Sequence, residues 1–137
     1  MGSERALWKT ISRNMREHWK ATRIENPANP GTPDVYFTMG NGAMGWLELK
    51  HAHQWPKRAD TPLKIEHFTP EQRRFIRDHG RLGAKVYVLL QVDRDYFLMK
   101  WRDALRIGEM VKADYYKIDF FWRRSVNYRH LIYILGL

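Results

Sequence analysis

Cysteine is absent from the 137 residues, which excludes a disulfide scaffold, a thiolate metal site and a cysteine nucleophile, and fits a reducing compartment. Long apolar runs are absent too. The longest, "VYVLLQV" at 86–92, falls far short of the roughly 20 residues a membrane helix needs. The opening "MGSERALWK" has none of the apolar core of a secretion signal, so a soluble, cytoplasmic protein is expected. There is no repeat and no low-complexity tract, and the length suits a single domain over residues 1–137. Acidic residues are few: 15 Asp and Glu stand against 24 Lys and Arg, a net charge of +9. The excess is spread along the chain rather than gathered in a tail, which points to a polyanionic partner or to a solvated basic surface. Charge alone does not choose between DNA, RNA and an acidic membrane.

The periodicities predict an α/β chain. Residues 3–21 read as a helix with Ser3 as N-cap and Leu7, Trp8, Ile11, Met15 and Trp19 along one stripe. At about 100° per residue Glu4 falls within that stripe, whereas Glu17 falls opposite it. "ATRIEN" reads as a short strand, ended by the turn-forming "NPANPGTP". Asp34 to Met39 and Gly45 to Lys50 form a predicted hairpin closed by "GNG". Residues 52–67 lack any period and predict a long loop, more often functional than idle in a compact domain. "FTPEQRRFIRDHGRLG" then carries a complete helix start: Thr69 as N-cap, Pro70 at the first position, Gln72 at the capping-box position, with Gly80 as a stop. "AKVYVLLQV" and "YFLMKW" read as strands, "RDALRIGEMVK" as a short helix, and "KIDFFWRR" and "HLIYILGL" as late strands. The expected fold class is a central mixed β-sheet flanked by helices.

The chemistry concentrates in "TPDVYFTMGNGAMGWLELK" at residues 32–50. Alternation along "GWLELK" puts Trp46, Glu48 and Lys50 on one face and Leu47 and Leu49 on the other. A register with Met39 facing Gly45 sets Asp34 opposite Lys50 and diagonal to Glu48, roughly 7–8 Å away. Two carboxylates and an ammonium on one face are costly if merely structural, although as isolated residues they would suit a solvated face. Asp34 and Glu48, with the carbonyl of Leu49, offer oxygen ligands to a hard divalent cation such as Mg2+. Lys50 could then position or deprotonate an attacking water or stabilise developing phosphate charge.

Pro33–Asp34 followed on the next strand by Glu48-x-Lys50 resembles the signature of the PD-(D/E)XK nuclease superfamily, over about residues 3–92. The chain is most similar there to small archaeal or phage-type Holliday-junction resolvases and to virus-type replication-repair nucleases. The resemblance implies a restriction-endonuclease-like core and a Mg2+-dependent DNA endonuclease, with Mn2+ as a substitute metal. It also implies metal ligation by Asp34 and Glu48, with Lys50 in catalysis. Resolvase-like members carry a metal-binding glutamate in an early helix, a position that Glu4 matches and for which Glu25 competes; for Glu4 the other reading is a carboxylate favoured at a helix start. Many members carry a helical glutamine after the acid-x-lysine strand, which Gln72 matches; the alternative is that Gln72 only completes its capping box.

Around this set, Lys57, Arg58 and Lys64 in the loop and Arg73, Arg74 and Arg77 on the following helix are candidate phosphate contacts, each equally at home in solvent. His51 and His53 lack a suitably spaced third ligand for zinc and flank the site instead. The sequence thus leads to nuclease action on branched DNA, as a homodimer if four-way junctions are cut symmetrically. The rivals are a monomeric flap or replication-repair nuclease and a non-catalytic nucleic-acid-binding module on the same fold.

Overall fold

The computed structural model describes residues 2–24, 28 and 30–137. Its first helix, α1 (Glu4–Met15), starts where Ser3 accepts a hydrogen bond from the Ala6 N–H at 3.0 Å, and it buries Leu7, Ile11 and Met15 at intervals of four. The helix stops six residues earlier than its apolar stripe predicts. A turn from the His18 N–H to the Met15 carbonyl releases Trp19 into β1 (Trp19–Arg23), where it pairs with Met39 and stacks on Phe37 at 5.9 Å. Sheet pairing and aromatic packing outweigh continuation of the helix.

The remaining strands are β2 (Val35–Met39), β3 (Met44–Ala52), β4 (Val86–Val92), β5 (Asp95–Lys100) and β6 (Phe120–Arg123). They form a mixed six-stranded sheet in sequential order, antiparallel throughout except where β3 lies parallel to β4. A parallel pair needs a crossover, and residues 53–85 supply it as the expected long loop followed by α2 (Pro70–Gly80).

Alternation along the strands gives the sheet two buried faces. Val35, Phe37, Leu47, Leu49 and Leu89 pack on one side with Leu7 and Ile11 of α1 and with Leu131 and Ile134 of a C-terminal helix, α5 (Tyr128–Leu135). Val86, Val88, Leu90, Phe97 and Met99 pack on the other with Ile76 of α2 and with Leu63 and Phe68 of the loop. Two single-turn helices, α3 (Trp101–Ala104) and α4 (Lys112–Tyr115), complete that second layer.

Two later expectations are corrected. The helix predicted over 102–112 is broken in the middle, where Gly108 takes φ +101°, a backbone conformation that no helix continues through. The strand predicted over 130–137 is α5: Asn127 caps it by accepting from the His130 N–H at 3.1 Å, and Leu131, Ile134 and Leu135 are buried at helical spacing.

Candidate active site

The site begins with the β2–β3 turn. Met39 donates its N–H to the Ala43 carbonyl at 2.7 Å and Gly42 sits at φ +89°, so the reversal takes three residues, Gly40 to Gly42. Phe37 therefore faces Gly45 and Tyr36 faces Trp46, a register two residues tighter than the expected pairing of Met39 with Gly45. Continued by two positions past Tyr36, this ladder brings Asp34 directly across from Glu48 rather than from Lys50. The two residues are cross-tied: the Asp34 N–H donates to Glu48 Oε1 at 3.1 Å, and the Leu49 N–H donates to Asp34 Oδ2 at 3.0 Å.

Trp46, Glu48 and Lys50 do share a face, with Leu47 and Leu49 on the other, but that face is not solvated. Glu48 and Lys50 are each 1 % exposed, covered by α2 and the end of the crossover loop. Burial of two charges is tolerable only when both are paired and hydrogen-bonded. Lys50 Nζ meets three acceptors: Glu48 Oε2 at 3.0 Å, the His67 carbonyl at 2.8 Å and Gln72 Oε1 at 3.0 Å. An ammonium has three protons, so this one is saturated.

Gln72 connects the parts. Its Oε1 also accepts from the Thr69 N–H at 3.0 Å, its N–H donates to Thr69 Oγ1 at 3.1 Å, and its Nε2 donates to Glu48 Oε2 at 3.2 Å. The capping box and the contact with the acid–lysine pair, alternatives in the sequence, are made by the same side chain at once. The Phe68 ring is approached by two cations, Lys50 Nζ at 5.4 Å and the Arg73 guanidinium carbon at 4.2 Å from its centroid.

Burial, and then the charge of Asp34, push the Glu48 carboxyl up to about 8, against the opposing pull of Lys50. Glu4, half-buried on the first turn of α1, is also raised, chiefly by burial; of the charges acting on it the strongest are Lys50, which pulls it down, and Asp34, which pushes it up. Glu4 thus faces the site, at its mouth. Glu25 lies outside the described residues.

The donor set of Asp34 and Glu48 fits a hard divalent cation: it is all oxygen, its two carboxylates are close enough to repel, and Asp34 Oδ1 makes no hydrogen bond among the described residues. Among the described residues no three His, Cys, Asp or Glu side chains are arranged to hold a metal ion. Mg2+ is commonly held by one or two carboxylates together with waters and substrate phosphate, so a pair suffices.

The basic candidates divide. Lys57, Arg58 and Lys64 are exposed on the loop, Arg58 pairing with Asp60 at 3.3 Å. Arg74 and Arg77 are exposed on α2, Arg77 pairing with Asp78 at 3.0 Å. Arg73 is half-buried and turned inward, donating to the Leu105 carbonyl at 3.3 Å above Phe68. His51 and His53 stand edge to face at 5.1 Å and share with Glu4, Lys64 and His67 a recess of about 370 Å³. Sequence reasoning missed the His67 carbonyl, which no side-chain pattern advertises. It also missed Phe68, for which there was a signal: an apolar residue just before an N-cap commonly packs over the fourth helical residue, here Arg73.

No protein-family model and no curated protein matches the sequence. Among solved structures the chain is similar to Hjc, a Holliday junction resolvase from the archaeal hyperthermophile Archaeoglobus fulgidus, with a TM-score of 0.53 and 17 % identity over 81 % of this chain and 89 % of that one. At that identity the likeness is one of fold. The mixed six-stranded sheet flanked by helices is the α/β class expected from the sequence, and it is the fold of a resolvase. Among the described residues no helix is long and apolar enough to cross a membrane.

Proposed function

We propose that the protein is a Mg2+-dependent endonuclease that hydrolyses phosphodiester bonds in branched DNA, as a Holliday-junction resolvase does. The observation that carries this reading is the cluster of buried Glu48 and Lys50 with half-buried Asp34 and Gln72, cross-tied by hydrogen bonds on a resolvase-like fold. A carboxylate held near 8 beside a second carboxylate is a poor structural device but a ready seat for a cation. The residues that would hold the metal are Asp34 and Glu48, with the Leu49 carbonyl and Glu4 as further donors. When bound, the metal supplies Lewis-acid polarisation of the scissile phosphate and of a water.

The chain's own residues do the rest. Asp34, with an oxygen still free, orients the attacking water. Lys50 offsets the negative charge that grows on the phosphorane as the water oxygen bonds to phosphorus and the bond to the leaving sugar oxygen breaks; the water's proton passes to solvent and the leaving oxygen takes one up. Gln72 and the His67 carbonyl fix Lys50 in place, because a charge-stabilising group is effective only when held rigidly. Lys64 at the recess, and Lys57 and Arg58 exposed on the same loop, supply phosphate contacts. Symmetric cutting of a four-way junction requires two such sites, hence a homodimer. The test incubates the protein with a four-way junction, a flap, a plain duplex and a single strand, with Mg2+ or with EDTA, beside Asp34→Asn and Lys50→Ala. Paired nicks on the junction that need Mg2+ and vanish in both variants are expected. No Mg2+-dependent cutting of any substrate overturns the proposal, and cutting of flaps alone replaces the resolvase with a monomeric flap nuclease.

A further inference from the structure

A second cavity, of about 510 Å³, opens at the carboxyl ends of β3 and β4 beside the start of α1, and neither Asp34 nor Glu48 lines it. Its walls include His51, His53, Gln91, Asp93, Arg94 and Tyr96. His51 and His53 line this cavity and the recess that holds Glu4 and Lys64 alike, so the imidazole pair is a shared wall between the two. The mouth of a parallel strand pair is where open α/β sheets place ligands. The volume lies within the roughly 300–1,000 Å³ of small-molecule sites, and nothing in the reaction proposed above uses it.

We infer that this cavity holds one unpaired nucleotide of the substrate strand, next to the scissile phosphate. The inference rests on the nuclease reading and names the strand geometry that the site selects. Three features fix the ligand class. The space is that of a single nucleotide, too small for a duplex. The rings of Tyr96, His51 and His53 line the cavity, and bases of any sequence stack on aromatic rings. Arg94 is exposed and forms no salt bridge among the described residues, which leaves its guanidinium for a backbone phosphate. Asp93 stands at the same wall and disfavours a dianion, so a diester within a strand is preferred over free phosphate or a terminal monophosphate. Gln91 already donates its Nε2 to the Asp93 carbonyl at 3.0 Å, and its oxygen remains to accept from a base edge. A strand threaded from the catalytic pair past the imidazoles into this cavity is single at that point, as at a junction crossover or a flap base.

The experiment separates binding from cutting. Fluorescence anisotropy in EDTA measures the affinity of the full chain for a short single-stranded oligonucleotide and for a duplex of the same sequence. It compares wild type with His53→Ala, Arg94→Ala and, as a charge control away from the cavity, Arg81→Ala, all at exposed positions. About tenfold weaker single-strand binding is expected for His53→Ala and Arg94→Ala, with duplex binding and Arg81→Ala little changed. The same two variants are then assayed with Mg2+ on a four-way junction, where KM should rise with kcat retained. Equal losses in all three variants, or losses on duplex as large as on single strand, reduce the effect to general charge and overturn the inference. Selective single-strand loss without any Mg2+-dependent cutting supports the cavity while sinking the nuclease reading. Mg2+-dependent cutting with unchanged affinity and KM in both variants does the reverse.

Discussion

Glu48 ties stability to pH and to divalent cations in a direction opposite to that of most carboxylates. Its carboxyl titrates near 8 in the fold, against an ordinary value of 4.5. Between those two values the folded protein holds a proton that the unfolded chain has released, so stability falls as pH rises. The contribution is fully present below about 4.5 and is lost through 8. At about 1.36 kcal/mol per unit, a shift of that size is worth up to roughly 5 kcal/mol, an upper bound because Lys50 shares the burden. Glu4 is displaced in the same direction, and His51, lowered chiefly by burial and then by His53, acts oppositely, losing stability as pH falls below its usual range. Glu48→Gln removes the titration: with its oxygen turned to Lys50 and Gln72, the glutamine NH2 faces the Asp34 N–H, a cost that does not depend on pH and so leaves the slope to report Glu48. Urea denaturation of both proteins in EDTA at about pH 5 and about pH 8.5 is the assay. Wild type should lose several kcal/mol between the two and Glu48→Gln much less. Mg2+ should restore wild-type stability at the higher pH only, because the cation competes with the proton for the same oxygens. A wild-type slope equal to that of Glu48→Gln, or Mg2+ stabilisation as large at the lower pH, refutes the account.

Three further outcomes are expected. Lys50→Met leaves Glu48 buried without its cation and should cost about 3–5 kcal/mol above pH 8, and clearly less below pH 7, where Glu48 takes up a proton; calorimetry at both pH values checks this. Asn127→Ala removes the cap of α5 and should lower stability by about 1 kcal/mol without altering DNA affinity, readable from the denaturation midpoint. Trp55 donates to Asp95 Oδ2 at 3.1 Å, and Tyr116 donates to the same oxygen, anchoring the start of the crossover loop. Trp55→Phe should cost about 1 kcal/mol and speed proteolysis within residues 53–69, which limited digestion followed by mass spectrometry detects.

How far the sequence carried depended on whether the deciding interactions were local. The α2 start was legible to the atom, since a capping box is a four-residue device. The β3 face assignment was legible because pleat alternation needs no partner. The hairpin register was not: the glycine-rich reversal admits loops of more than one length, and two residues of slack move Asp34 from facing Lys50 to facing Glu48. Nor was the burial of Glu48 and Lys50, because the groups that make it tolerable, Gln72 and the His67 carbonyl, come from a segment 17 to 24 residues away. The strand expected over 130–137 came from the β-branched and aromatic content of "HLIYILGL", where the spacing of Leu131, Ile134 and Leu135 outweighed composition. α1 erred the other way: Trp19 continues the helical stripe, yet it is claimed by Phe37 across the sheet.

The one parallel seam has a consequence for how the protein reaches its working state. The β2–β3 and β4–β5 pairs are joined by tight turns, and such hairpins close quickly. β3 and β4 meet only after the whole crossover has been laid down, and that crossover brings Gln72 and the His67 carbonyl to Lys50. The carboxylates therefore arrive on a fast local hairpin while their clasp arrives with the slowest loop closure in the chain. A molecule folded only that far carries Asp34 and Glu48 but leaves Lys50 unheld, so the cluster of Asp34, Glu48, Lys50 and Gln72 is complete only once β3 and β4 have joined.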